Sequence, residues 1–198
     1  MNNTHYSKHI DSLLKIHEAA LETVEAEGIL LHSGSDALYF ADDRAIEFNA
    51  YGHYLRWIPI NKPDQFLLFI PGETPTYFQV IPTDYWYDQI VENEEPLEKD
   101  LHVIRIKVVS DIKIHIKHLK LCYLGPCPDV AAALDISTRS INPQQVISYL
   151  DFQRAYKTRY EIAQVRNANK LALSGHRAAR ECFLANGNEY DIHMAYLR

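Results

Sequence analysis

The segment beginning at Thr158 leaves few alternatives to a long helix. Thr158 followed three residues later by Glu161 is a capping box, in which hydroxyl and carboxylate satisfy two of the N–H groups that a helix start leaves unpaired. From there Ile162, Val165, Ala168, Ala172, Ala179 and Phe183 recur at three- and four-residue steps or their multiples. That stripe predicts one apolar face turned toward a core, and Gly187 is expected to supply the left-handed stop. A helix so bounded is about seven turns long. Asn188 and Asp191 repeat the capping signal, and Ile192, Ala195 and Tyr196 begin another apolar face with no sequence to continue into. The expectation is a finished domain, a linker helix and the opening of a further element, hence part of a longer protein. Its uncovered apolar side predicts poor solubility or self-association of the chain alone.

The preceding sequence reads as one α/β unit. Tyr6, Ile10, Leu13, Leu14, Ala20 and Val24 sit on helical spacing from about Tyr6 to Glu27, with Gly28 as the stop. Ile29 to His32 is a short apolar run of the kind a buried strand shows, and Leu38-Tyr39-Phe40 is a second extended piece leading to Asp42-Asp43. Tyr54 to Ile60, Gln65 to Ile70 and Thr76 to Val80 read as strands separated by turn sequences, an antiparallel meander. A short helix over Asp84 to Val91 and a strand over His102 to Val109 follow. Asp111 to Leu119 alternates like a strand but occupies the place of a crossover helix, which is the reading preferred. Leu121 to Leu124 is another buried strand, Asp129 to Leu134 a short helix, and Asn142-Pro143 a cap and first-turn proline for a helix reaching about Phe152. The acidic stretch Glu92 to Glu98, interrupted by Pro96, reads as a solvated loop. The predicted fold class is therefore α/β, a mixed β-sheet flanked by helices, over residues 1–153, with residues 154–198 forming a linker and the start of another domain.

Composition excludes several classes. With 198 residues, 47% of them hydrophobic, the chain can bury an ordinary core. It contains no apolar run of about 18 residues, and Met1 to His5 lacks the layout of a secretory signal, so membrane and export are not expected and the cytoplasm is the default. Cys122, Cys127 and Cys182 are odd in number and lack paired spacing, which reads as buried, reduced thiols. A net charge of -6 with mixed signs offers no basic stripe for nucleic-acid phosphates. Thirteen Tyr are present (13 in all), several lying with both Trp between Tyr39 and Tyr87, where an aromatic-rich surface could line a pocket or a subunit interface.

Candidate chemistry is sparse. Among the His, His115 and His118 could share a helix face, but Lys113, Lys117 and Lys120 beside them would repel a cation, so a surface helix is the better reading. His32, ending an apolar strand before Ser33-Gly34, reads as a hydrogen-bonded structural histidine. No phosphate-binding glycine loop, nucleophile elbow or Cys/His pair is visible. The acid pair Asp42-Asp43 is the best polar candidate: it could bind a cation or an ammonium group, or one Asp could cap a turn. Trp86, within Asp84-Tyr85-Trp86-Tyr87, serves packing or recognition.

Taken in order, His32-Ser33-Gly34, Asp42-Asp43, Arg56-Trp57-Ile58-Pro59, Pro82-x-Asp84-Tyr85-Trp86, Tyr123-Leu124-Gly125, Asn142-Pro143 and Arg154-x-x-Lys157-Thr158-x-x-Glu161, running on to Gly175-His176-Arg177-Ala178-Ala179, resemble the bacterial Xaa-Pro dipeptidases (prolidases) and the related organophosphorus acid anhydrolases. The resemblance covers nearly the whole chain. It implies a creatinase-like N-terminal domain followed by a larger pita-bread domain, in which two Asp, one His and two Glu hold two divalent metals, commonly Mn²⁺, and a bridging hydroxide attacks a dipeptide bond before proline. None of those five ligands falls within these residues, so the resemblance implies no metal and no catalytic residue here and an inactive chain on its own. It also implies a homodimer in which a loop of one subunit reaches the other's active-site mouth. Asp43 and Trp86 match the positions that line that mouth, a carboxylate for the substrate's α-ammonium and an aromatic lid, with the Arg56-Trp57 strand as scaffold.

A different class remains open at this stage: a free-standing, noncatalytic module of the creatinase-like fold that binds peptides or a protein partner. A metal-free creatinase-type hydrolase fits the motifs less well. Nothing in these residues separates a dipeptidase from an organophosphate hydrolase.

Overall fold

A computed structural model describes residues 3–83, 85 and 95–198. The chain divides into two compact units, Met1–Tyr156 and Lys157–Arg198.

The first unit is built on a five-stranded mixed sheet. Helix α1 (Asn3–Leu21) leads into β1 (Gly28–His32), followed by helix α2 (Gly52–Trp57), β2 (Phe66–Phe69), β3 (Thr76–Val80), α3 (Glu95–Asp100) and β4 (His102–Ile106). A 3₁₀ turn (Val109–Ile112) then runs into α4 (Lys113–Ile116), β5 (Leu121–Leu124), α5 (Pro128–Ala133) and α6 (Gln144–Ala155). The strand order is β4-β3-β2-β1-β5. Strand β2 runs antiparallel to β1 and β3, while β1 pairs parallel with β5 and β3 with β4. Four strands therefore end on the same side. The expected α/β class, a mixed sheet with flanking helices, is what forms.

Pleating divides the strand residues between two cores. Leu30, Phe66, Leu68, Phe78, Val80 and Tyr123 meet Ile112, Ile116, Ala131 and Leu134 of the crossover helices. On the opposite face Phe69 packs against the rings of His17 and Trp57, with centroids 5.8 and 6.0 Å away. Strands buried on both faces read as unbroken apolar runs, which is why β1, β2 and β5 were visible in sequence.

Several expectations need correction. Helix α1 stops at Leu21, not near Glu27: the Thr23 hydroxyl donates to the Ala20 carbonyl at 2.7 Å, and Val24 N–H turns back to Leu21. Gly28 belongs to β1, where a Cβ would lie 2.5 Å from the Phe69 carbonyl oxygen; it permits close strand approach and does not stop the helix. The segment Tyr54 to Ile60 is not a strand. Its first half is helix α2, with His53, Tyr54, Arg56 and Trp57 all buried. The carbonyls freed at its end accept from α1, Arg56 from His9 Nε2 at 2.6 Å and Trp57 from the Tyr6 hydroxyl at 2.6 Å. The antiparallel meander is instead β1-β2-β3. Leu38-Tyr39-Phe40 contributes one isolated bridge, Leu38 to Ala45, and no strand. Residues 95–98 of the acidic stretch lie in helix α3, whose Leu97 is buried. The helix expected over Asp84 to Val91 falls outside the described residues except for Tyr85. The ambiguous stretch after β4 is helical, as preferred.

Asn142 does not cap α6. Its backbone is left-handed (φ 49°), and Pro143 occupies the N-cap position. The Asn142 amide instead clamps Gly125, accepting from its N–H at 3.0 Å and donating to its carbonyl at 2.8 Å.

The second unit is a helical hairpin of α7 (Arg159–Leu184) and α8 (Glu189–Leu197). The predicted capping box is formed: Glu161 N–H donates to Thr158 Oγ1 at 3.3 Å and Thr158 N–H to Glu161 Oε2 at 2.8 Å. Asn188 and Asp191 repeat it. The left-handed residue after α7 is Asn186 (φ 66°), not Gly187. Gly175 and the ring of Tyr196 bring the two helices together, for a Cβ at Gly175 would meet that ring at 3.0 Å. The expected stripe meets no core here, because Ile162, Val165 and Phe183 are exposed.

Candidate functional site

The acid pair sits on a pinned surface loop between β1 and α2. Both ends of the loop converge on buried Ser33: its N–H donates to the Gln65 carbonyl at 2.8 Å, its hydroxyl accepts from Gln65 N–H at 3.0 Å, and its carbonyl accepts from Tyr51 N–H at 2.8 Å. Between these anchors the chain closes a small hairpin. Ile46 N–H donates to the Ala37 carbonyl at 2.8 Å, and Tyr39 N–H to the Arg44 carbonyl at 3.1 Å. Left-handed Ala41 (φ 54°) makes the turn.

The two acids have different surroundings. Asp42 Oδ1 accepts from Arg44 N–H at 2.9 Å, an Asx-type turn contact, while the Asp43 side chain is exposed at the tip. The Arg44 guanidinium lies 4.6 Å from the Tyr39 ring centroid, a cation–π contact that stiffens the same turn. Beside Asp43, Phe40 is fully exposed (101%) and Leu38 largely so. Reading Leu38-Tyr39-Phe40 as a strand missed that aromatic tip; an apolar residue running directly into Ala41-Asp42-Asp43 was its only signal.

Behind the loop lies a buried polar network. His32 is shut off from solvent, stacked on Phe66 at 4.1 Å, with Nδ1 2.7 Å from the Tyr123 hydroxyl. That hydroxyl also donates to the Cys127 carbonyl at 3.0 Å. His32 Nε2 lies 3.5 Å from Asp64 Oδ1 and has no hydrogen-bond partner among the described residues, and Ser35 Oγ donates to the same carboxylate oxygen. A Cβ on Gly125 would approach the Tyr123 hydroxyl and His32 Cβ to 2.8 and 2.9 Å, so this corner accepts only glycine without movement. Four motifs distant in sequence thus meet: His32-Ser33-Gly34, Tyr123-Leu124-Gly125, Asn142-Pro143 and the residues around Asp64. His32 is a hydrogen-bonded structural histidine, as expected, through Nδ1; the carboxylate of Asp64 beside its other nitrogen was not legible in sequence.

Other candidates fall away from this corner. His115 and His118 are exposed. Among the described residues no group of three His, Cys, Asp or Glu side chains is placed to hold a metal ion. Trp86 lies outside the described residues. Burial pushes the Cys122 thiol up to about 12, leaving an unreactive, protonated group, while Cys127 and Cys182 are free and half-buried. Arg56 and Trp57 are buried in α2 and serve as scaffold there.

A mixed sheet with helices on both faces is the fold shared with the N-terminal half of solved aminopeptidase P structures. Escherichia coli aminopeptidase P in its low-pH form superposes on all of this chain and 50% of its own length, with a TM-score of 0.60 at 16% identity. Proline aminopeptidase P II from Yersinia pestis does so over 100% of this chain and 49% of its own, with a TM-score of 0.54 at 15% identity. At those identities the likeness shows the fold. The family follows from sequence: residues 4–152 match the family model of the Xaa-Pro dipeptidase N-terminal domain, and the chain belongs to that family. It is 35% identical over 202 residues to an Xaa-Pro dipeptidase of Cronobacter sakazakii, covering 98% of this chain and 44% of that protein. The corresponding enzyme of Salmonella paratyphi B is 35% identical over 200 residues, again with 44% of its length covered. The chain thus spans less than half the length of the curated relatives it matches.

Proposed function

We propose that this chain is the N-terminal, dimerising and substrate-gating part of a metal-dependent Xaa-Pro dipeptidase that hydrolyses dipeptides ending in proline. The observation that carries the reading is the match of residues 4–152 to the N-terminal domain of that family, together with relatives more than twice as long. In this reading residues 1–153 are the creatinase-like domain, and residues 154–198 open the catalytic domain. Two divalent ions, Mn²⁺ by expectation, are held outside the chain, by residues that complete the enzyme. The setting is the cytoplasm.

The chain's own chemistry is recognition. A hairpin anchored at Ser33 and stiffened by the Tyr39–Arg44 contact presents a carboxylate in solvent, which suits pairing with an ammonium at the mouth of a neighbouring subunit's site. A carboxylate there favours substrates whose free α-ammonium lies one residue from the scissile bond, which selects dipeptides over longer peptides. Trp86 is assigned the accompanying aromatic lid on the family resemblance alone.

Hydrolysis of Leu-Pro in Mn²⁺ is the deciding assay. The 198-residue chain is expected to show no turnover. The same chain fused to the catalytic half of a matched relative is expected to be active. Metal-dependent turnover by the chain alone would overturn the assignment, as would an inert but folded fusion.

A further inference from the structure

A cavity of about 410 Å³ opens where β3 and β4 end, bordered by the Lys62 to Gln65 segment before β2. In α/β sheets the crevice outside the carboxyl ends of parallel strands is the usual place for a small ligand, and this volume lies in the range of small-molecule sites. Its polar floor is already satisfied. The buried Gln65 side chain donates to the carbonyls of Pro63 at 2.9 Å and Val80 at 3.0 Å and accepts from the Tyr77 hydroxyl at 3.0 Å.

What the cavity still offers is charge of both signs. Asp36 and Asp64 face it with Lys62 and Lys107, so its ionisable lining sums to zero. Among the described residues Asp36, Lys62 and Lys107 form no ion pair. Asp64 is fixed in place by the Ser35 hydroxyl and backed by the fully buried His32 Nε2, 3.5 Å from its Oδ1. The remaining wall is aliphatic: Val80, Pro82, Val108 and Val109.

A ligand of one net charge would be attracted by half of this lining and repelled by the other half; a zwitterion satisfies both. From these residues we infer that the cavity binds a free α-amino acid with an aliphatic side chain. The ammonium pairs with Asp64 and Asp36, the carboxylate with Lys62 and Lys107, and the side chain rests on the Val80–Val109 wall. This inference does not depend on the peptidase reading, because it concerns binding by the chain itself.

The test is an NMR titration of the ¹⁵N-labelled 198-residue chain with L-leucine, N-acetyl-L-leucine and L-leucinamide. L-leucine is expected to give saturable amide shifts confined to residues 62, 64–65, 80–81 and 107–109. Each singly blocked derivative should bind about tenfold more weakly, since each lacks one charge-assisted contact. Lys62→Ala and Lys107→Ala, both at exposed positions, should weaken L-leucine by about the same factor with the spectrum otherwise unchanged. Because Asp64 also anchors Ser35, Asp36→Asn serves as the carboxylate variant and should weaken L-leucine by about the same factor. No saturable shift, equal affinity for the blocked derivatives, or affinity unchanged in both lysine variants would overturn the inference.

Discussion

The indole N–H of Trp57 on α2 donates to Nε2 of His17 on α1 at 3.1 Å, in a core that leaves neither residue exposed to solvent. Nδ1 of the same ring must then carry its proton, which it donates to the Leu13 carbonyl at 2.8 Å. Both ring nitrogens are used, and the arrangement admits only the neutral imidazole. Burial, with smaller contributions from His53 and Arg56, lowers the pKa of His17 from 6.5 to about 3, against the opposing pull of the Leu13 carbonyl.

That pair makes the fold acid-sensitive. In the unfolded chain the ring titrates near ~6.5, so below that pH the unfolded state binds a proton that the folded state refuses. Stability is therefore full above about pH 6.5 and falls as the pH drops toward the folded value, at up to about 1.4 kcal/mol per pH unit for this group. His53, lowered to about 4 chiefly by burial, adds to the loss over the upper part of the same window. Urea unfolding midpoints measured from about pH 7 to about pH 4.5 are expected to decline for the native chain and, in His17→Gln, to decline with roughly one proton less of slope. Equal slopes would show that His17 is not the group responsible.

Asn142→Ala should cost about 1–3 kcal/mol, because it strips two hydrogen bonds from the buried Gly125 backbone and puts alanine at a left-handed position. Asn142→Gly restores the backbone freedom but not the bonds. Urea midpoints of the two variants separate the contributions, and a native-like Asn142→Ala would remove the clamp from the account of stability.

Thr158→Ala is expected to lower the stability of α7 by about 1 kcal/mol through loss of its cap. Hydrogen exchange at amides 159–161 should quicken, while exchange in the sheet of the first unit stays unchanged. Uniform quickening across the whole chain would mean that the cap supports far more than its own helix.

Asp43→Ala tests the proposed gate. The side chain is exposed at the tip of the hairpin, so folding should be unaffected. In an active enzyme carrying this domain, KM for Leu-Pro should rise about tenfold with kcat little changed, as expected when a charge contact to bound substrate is lost. An unchanged KM would sink the gating role.

Strands β1, β2 and β5 announced themselves because both faces are covered, and unbroken apolar runs need no partner to be recognised. The caps of α7 and α8 are local chemistry, complete within four residues. Helix α2 was misread for the opposite reason. Its polar residues are buried, so no amphipathic period marks it, and its terminal carbonyls find their donors 47 and 51 residues away on α1. Asn142 was misread similarly, since its preference for a helix start lost to a clamp on a glycine 17 residues earlier.

By itself, then, the sequence determined the α/β class, the capped helices and the family, because these rest on contiguous patterns and ordered motifs. The tertiary structure alone decided which member of the exposed Asp42-Asp43 pair holds the turn, what surrounds His32, and which charges share a cavity at the strand ends. Those outcomes depend on contacts between segments remote in the chain, where burial and hydrogen-bond satisfaction override local preference.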